Sequence, residues 1–172
     1  MEIRRRNDKI ELSELDPFLA ELLRQIPTSA DPGGVPAAEQ RIFSSPTNGK
    51  ETEICAEWKL YVEPELRRLF QTATETVAAD LEPLNGNENK FANRTLRIPS
   101  KHADAWLSAL NQARLVITAK YHFTDGELSD QFRSPIGSRR DLSLFQVNFY
   151  GFLQEFILRE LGGWEQGPGS GG

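Results

Sequence analysis

Residues 142–161 are apolar on nearly every side of a helix, and this segment constrains the fold more than any other part of the chain. At helical spacing the apolar side chains fall into two adjacent rows, with a third side continuing them. The rows are Phe145, Phe149, Phe152 and Phe156, then Tyr150, Leu153, Ile157 and Leu161, with Val147 and Leu158 on the third side. A helix that is hydrophobic on most faces needs neighbours on most faces. We therefore predict that this helix is the central one of its domain.

Other segments repeat apolar residues at helical spacing and predict further helices. They cover 13–26, a block from about residue 51 to 81 that Pro64 kinks or restarts, and 100–122. Ser13 stands where the N-cap of the first helix is expected. Together with the final segment, these blocks predict a mainly α fold, a helical bundle of four to five helices.

A small β element is expected beside the helices. The first twelve residues read as a hairpin around Asn7 and Asp8, which both tolerate the positive φ of a two-residue turn. Residues 95–98 form a short alternating strand that needs a partner, and the hairpin is the only other β candidate. The economical prediction is a three-stranded antiparallel sheet made of the N-terminal hairpin and strand 95–98.

The glycines mark where the domain ends. Six of the 13 glycines fall in the last eleven residues, which otherwise contain one large apolar side chain, Trp164. Such a composition cannot bury enough apolar surface to order a chain. We predict one helical domain over 1–161 and a disordered Gly-rich tail over 162–172.

Composition excludes several classes of protein. The formal net charge of −5 argues against nucleic acid and acidic membranes as general partners. No apolar run approaches the roughly 20 residues of a membrane span, and no signal peptide precedes the domain, so we expect a cytoplasmic protein. One cysteine, Cys55, and two histidines, His102 and His122, leave little for a metal cluster, and Cys55 is expected to be a small core residue. The sequence shows no catalytic constellation, so we expect no cofactor and no enzyme.

One charged residue stands among apolar ones. On a wheel of 100–122, Arg114 falls in the middle of the apolar stripe and Asn111 at its border. An unpaired buried charge costs several kcal/mol, so Arg114 must reach solvent or a polar partner, with Gln154 or Glu155 the leading candidates. Two interpretations stay open for Asn111, Arg114, Gln154 and Glu155: a buried network that holds helix register, or a binding pocket between two helices.

The same two helices carry a resemblance. Residues 105–117, AWLSALNQARLVI, and 150–155, YGFLQE, resemble a bacterial family known as domain of unknown function 2017, and the strand residues 96–99 resemble its lead-in strand. The likeness covers roughly residues 94–161, while the N-terminal half matches only in helical layout. The resemblance implies no catalytic residue. Members are often encoded near the adaptor of the Clp protease, and some are labelled transcriptional regulators.

The leading functional prediction is a non-catalytic regulatory or accessory protein that acts by protein–protein contact, with Clp-type proteolysis as the candidate system. The expected places for a partner are the helical surface carrying Trp58 and the long loops at 28–50 and 124–140. The alternative is a DNA-binding transcriptional regulator, for which the arginines at 4–6 are the relevant feature, although the first twelve residues carry a net charge of only +1. A second alternative is an enzyme with an unrecognised site.

Overall fold

The computed structural model describes residues 1–47, 49–86, 94–129 and 135–162, and within them it confirms a mainly α fold with a small antiparallel sheet. In chain order the helices are α1 (Pro17–Arg24), α2 (Ile26–Ser29), α3 (Pro36–Ile42), α4 (Thr52–Glu57), α5 (Glu63–Leu81), α6 (Ala103–Tyr121), α7 (Asp125–Ser129) and α8 (Arg139–Gly162). The predicted segments appear as α1, α4, α5, α6 and α8, and the remaining three helices are short. The tail over 163–172, predicted to be disordered, lies outside the described residues.

The sheet has the predicted composition. Its strands are β1 (Glu2–Arg6), β2 (Lys9–Leu15) and β3 (Arg94–Pro99), in the order β1-β2-β3 with both pairs antiparallel. The hairpin turn falls at Asn7 and Asp8, and Asn7 has the positive φ of 53° that the turn requires. Alternate residues of β2 and β3 are buried and join the helical core. They are Ile10, Leu12, Leu15, Leu96 and Ile98.

The predicted N-cap at Ser13 is wrong, because the strand continues past it. β2 continues to Leu15 through Glu14, which has a positive φ of 54°, and Leu15 pairs with Arg94 across an irregularity in the β2–β3 register. The helix α1 begins only at Pro17, and the Oδ1 of Asp16 accepts the cap hydrogen bond from Leu19 N–H at 2.8 Å. Pairing with a strand some 80 residues away therefore decides where α1 begins.

Pro64 restarts the helical block, as predicted, and does so through a π-helical turn. The turn covers Trp58–Val62, between α4 and α5, and Pro64 lies at the start of α5. Proline has no N–H to give to the preceding helical turn, so the backbone changes its pairing just before it. Short 3₁₀ turns, Glu82–Leu84 and Ser100–His102, lie between α5 and α6 on either side of β3.

The central helix is α6, not α8 as the apolar pattern predicted. α6 packs against α2, α3, α5 and α8, whereas α8 packs mainly against α6 and leaves Phe152 and Leu158 exposed. The reason is the small residues of α6, since Ala103, Ala109 and Ala113 are fully or almost fully buried and let several helices approach closely. No helix within the described ranges is long and apolar enough to span a bilayer.

Candidate functional site

Arg114 and Gln154 join α6 to α8. Nη1 of Arg114 donates a hydrogen bond of 2.6 Å to Oε1 of Gln154. Gln154 in turn donates from Nε2 to the carbonyl oxygen of Leu107 on α6, at 3.2 Å. Of the two predicted partners of Arg114, the amide is the acceptor, and both ends of that amide are engaged with α6.

A glycine makes room for the Arg114 guanidinium against α8. A Cβ at Gly151 would lie 3.3 Å from Cζ of Arg114 and 3.4 Å from both Nε and Nη2. Glycine in a helix interior costs up to about 1 kcal/mol relative to alanine, so its presence mid-helix needs a reason. The close approach of Arg114 is that reason. The sequence signal was available, since Gly151 interrupts an otherwise apolar helix, but it names no partner.

The positive charge of Arg114 is not neutralised within the described residues. No carboxylate there lies within ion-pair distance of its guanidinium, and its buried Nε has no hydrogen-bond partner. Burial lowers the pKa of Arg114 below its ordinary value. The residue is half-buried, so this is a partly desolvated cation held by one neutral amide.

Arg114 lines an open cleft of about 430 Å³ between α6 and α8. All four residues of the predicted network line it, and Asn111 and Glu155 are exposed there without a hydrogen bond in the described part of the chain. The other lining residues are Leu128, Asn148, Gly151, Phe152 and Leu158. The four predicted residues are thus brought together around one cleft, with only Arg114 and Gln154 in direct contact.

On the helical surface that carries Trp58, the neighbouring side chains are more exposed than Trp58 itself. Trp58 is half-buried, and its ring lines a cleft of about 530 Å³ beside Phe43 and Cys55. Its neighbours carry the exposure instead, since five of the ten exposed large apolar side chains in the described ranges lie between residues 54 and 69. We call these the exposed 54–69 segment: Ile54, Leu60, Tyr61, Val62 and Leu69.

A third cleft, not predicted from the sequence, reaches α6 at Gln112. It measures about 480 Å³, and Gln112, which is 6% exposed, contributes a buried Oε1 with no donor among the described residues. Arg67 lines this cleft with its charge compensated by Glu39 at 2.7 Å and Glu63 at 2.8 Å. Hydrogen bonds to those carboxylates, Glu39 first, raise the pKa of Arg67.

A largely buried carboxylate shared by α5 and α6, that of Asp80, was not identified from the sequence. Asp80 lies 3.0 Å from Nδ1 of His102 through either oxygen, and its Oδ2 accepts a 2.9 Å hydrogen bond from the indole N–H of Trp106. Within the described residues His102 has no hydrogen bond to a Ser, Thr or Cys that it could activate. Asp80 therefore ties two helices together. The buried indole of Trp106, which needs an acceptor, was the available clue.

Cys55 is half-buried at the edge of a cleft and not a core residue, contrary to the prediction. Its Sγ lies 3.2 Å from the hydroxyl oxygens of both Ser45 and Thr47. These hydrogen bonds, Ser45 first, lower the pKa of the thiol. No group of three or more metal-binding side chains occurs within the described ranges.

Comparison with protein-family models places almost the whole described chain in one family. The model described as a domain of unknown function, DUF2017, matches residues 2–161. No curated protein and no solved structure matches the chain. The family match includes the N-terminal hairpin and α1 to α5, where the sequence alone had shown a likeness only in helical layout. The chain therefore belongs to the DUF2017 family of domains of unknown function.

Proposed function

We propose that this protein is a cytoplasmic regulatory or accessory protein that acts by protein–protein contact, without catalysis, through the exposed 54–69 segment. The observation that supports the proposal is the concentration of exposed apolar side chains there. Leu60 is 65% exposed and Tyr61 72% exposed, and both lie in the π-helical turn Trp58–Val62. Clustered exposed apolar groups mark interaction sites, whereas single ones are ordinary. Insertions of π-helix also occur frequently at functional sites.

Apolar contact, not net charge, defines the chemistry of the partner. Residues 54–69 contain three glutamates against one lysine and two arginines, a net charge of zero. A partner that complements this segment offers an apolar groove bordered by charges of both signs. The resemblance to relatives encoded near the Clp adaptor makes components of the Clp protease system the first partners to test.

The arginines that favoured the DNA-binding alternative are engaged within the chain. Arg4 pairs with Glu2 at 2.6 Å and Arg6 with Glu11 at 3.7 Å. Arg5 donates to the carbonyl oxygen of a residue in α8 at 2.8 Å. Side chains already paired with carboxylates contribute less to the phosphate-driven affinity that every DNA-binding protein needs. This arrangement favours the contact proposal over the DNA-binding one.

The experiment is affinity capture from the native cytoplasm, with the full chain as bait. We expect a stable partner, with Clp components as the specific candidates, and loss of capture in the double variant Leu60→Ser, Tyr61→Ser. Both side chains are exposed, so the variant should retain its fold, which circular dichroism checks. The matched control is Ile136→Ser, an equally apolar exposed residue outside the segment, which should capture normally.

Three results would contradict the proposal. Recovery of no stable partner would do so, and so would equal capture by the double variant and the parent chain. Self-association that the double variant abolishes, measured by analytical ultracentrifugation, would assign the segment to a second copy instead of a different protein. A gel shift at low salt addresses the DNA-binding alternative directly, because binding that weakens steeply with salt would support it.

A further inference from the structure

We infer that the cleft between α6 and α8 binds a carboxylate carried at the end of an apolar group, with Arg114 as the residue that recognises it. This inference is independent of the exposed 54–69 segment, which lies on other elements. The ligand is defined by its chemistry alone. Either a small organic acid or the free C-terminus of a polypeptide would meet the requirement.

The first argument is the contrast between Arg114 and the other arginines. Many other arginines of the described chain form ion pairs with carboxylates of the same chain. The pairs are Arg4–Glu2, Arg6–Glu11, Arg24–Glu21, Arg67–Glu39, Arg67–Glu63, Arg68–Glu65, Arg97–Glu11 and Arg140–Glu127. Two desolvated arginines have no such partner within the described residues: Arg94 is buried and donates to the carbonyl oxygen of Leu84, whereas Arg114 is half-buried and lines an open cleft that a ligand can enter. A partly desolvated guanidinium is the group most in need of a counter-charge.

The second argument is the unused donors of the guanidinium. Only one hydrogen bond is made, from Nη1 to Gln154, so further N–H groups on Nη1 and Nη2 have no acceptor within the described residues. The hydrogen bond to Gln154 positions the guanidinium beside α8, and Gly151 leaves the space that it occupies there. A positioned guanidinium with free donors on its terminal nitrogens suits the two oxygens of a carboxylate.

The remaining lining residues select the rest of the ligand. Phe152 is 43% exposed and Leu158 55% exposed, and both line the cleft, where they offer apolar contact next to the charge. Asn111 and Asn148 add neutral amides. Glu155, also in the lining, repels additional negative charge and so favours a monoanion over a phosphate. A volume of about 430 Å³ is within the range of small-ligand sites.

The test compares two probes of nearly the same shape, one an anion and the other neutral. N-acetyl-leucine carries the carboxylate, and N-acetyl-leucinamide replaces it by a neutral amide. We expect the acid to bind the full chain with a Kd about tenfold or more below that of the amide, because hydrogen bonds between charged groups are stronger than those between neutral groups. Chemical-shift titration of the labelled protein measures both constants and locates the binding on α6 and α8.

Two variants and a control connect this preference to the cleft. Arg114→Met keeps the aliphatic stem and should abolish the preference for the acid, whereas Arg41→Met, an exposed arginine on α3, should leave it intact. Should Arg114→Met fail to fold, Glu155→Gln decides the matter. Removal of this exposed negative charge should lower the Kd of the acid about threefold, the Coulomb effect of one charge at about 6 Å in water.

A peptide ending in leucine distinguishes the two sources of the carboxylate, a small acid and a polypeptide C-terminus. Its Kd is measured with a free and with an amidated C-terminus. Tighter binding of the free peptide than of N-acetyl-leucine assigns the site to chain termini, and equal binding assigns it to small acids. Equal affinity for acid and amide would overturn the inference. So would an unchanged preference in Arg114→Met, an unchanged Kd in Glu155→Gln, or tighter binding of inorganic phosphate than of the acid.

Discussion

Two polar networks involve successive turns of α8, and they differ in charge and in burial. In the first, the buried Gln146 donates from Nε2 to the phenolic oxygen of Tyr150 at 2.7 Å, and that hydroxyl donates to the carbonyl oxygen of Leu22 at 2.7 Å. In the second, Gln154 accepts from Arg114 and donates to α6. The first network is neutral and its Tyr150 end is buried between helices, while Gln25, Ser29 and Gln146 also border a cleft of about 510 Å³. The second is charged, half-buried and open to a cleft.

This difference indicates that the Tyr150 network serves helix packing and that the Arg114 network serves ligand recognition. Tyr150 is 0% exposed and Gln146 7% exposed, and longer contacts of 3.3 Å join Gln146 to Gln25 and Ser29 on the α1–α2 side. A neutral network with its groups paired fixes how two elements pack and has no need of a ligand. Arg114 keeps a charge that the described chain does not neutralise, so its network is complete only with something added.

The largest effect on stability is expected from the Tyr150 network. Tyr150→Phe removes the hydroxyl and leaves the carbonyl of Leu22 and the amide of Gln146 without their shared partner in a buried site. We expect a loss of about 1–3 kcal/mol in the free energy of unfolding, the cost of buried polar groups left unpaired. Urea titration measures it. Tyr61→Phe, which alters a 72% exposed residue, is the control and should change stability by less than about 0.5 kcal/mol.

The pH dependence of stability sharpens the same prediction. Burial raises the pKa of Tyr150 to about 12, while its unfolded value is near 10. The folded state therefore holds the phenol proton more tightly than the unfolded state does. This contribution is complete below pH 10 and is lost as the pH rises from about 10 to about 12, by about 1.4 kcal/mol per pH unit. Tyr150→Phe should remove this component from the alkaline stability profile, and an unchanged profile would contradict the assignment.

A smaller effect is expected from the open network. Arg114→Met removes one charge-assisted hydrogen bond to Gln154 but also removes the cost of a half-buried, unpaired cation. The two changes oppose each other, so we expect the free energy of unfolding to change by less than about 1 kcal/mol. Thermal or urea unfolding decides the matter. A loss of more than about 2 kcal/mol would mean that Arg114 serves packing in the way Tyr150 does.

The features of the fold that could be predicted from the sequence are those that depend on interactions between residues close together in the chain. Apolar spacing is local, so the helical segments and the hairpin around Asn7 and Asp8 were predicted. Strand pairing is not local. The continuation of β2 past Ser13, which depends on its pairing with β3, was therefore not predicted. The small residues of α6 add little to an apolar pattern although they permit close packing. For that reason the central position was assigned to α8 and belongs to α6.

In the candidate site, too, contacts between residues distant in the chain could not be predicted. A charge in an apolar stripe is visible in one helix alone, and so Arg114 was found. Its contact with Gly151 and the tie from Asp80 to Trp106 depend on how helices are placed side by side. In both cases one partner gave a local clue, a glycine within an apolar helix and a buried indole that needs an acceptor. Neither clue identifies the second partner before the helices pack.

The smallest effect concerns the glycine that separates the two networks. In Gly151→Ala, the gain from a better helix former, about 0.5–1 kcal/mol, is opposed by a Cβ that would lie 3.3 Å from Cζ of Arg114 and push the guanidinium aside. We expect almost no net change in the parent chain. In Arg114→Met the flexible side chain can yield, so the same alanine should stabilise by about 0.5–1 kcal/mol. A double-mutant cycle by urea unfolding measures this coupling, and strictly additive effects would show that Gly151 is not kept small by Arg114.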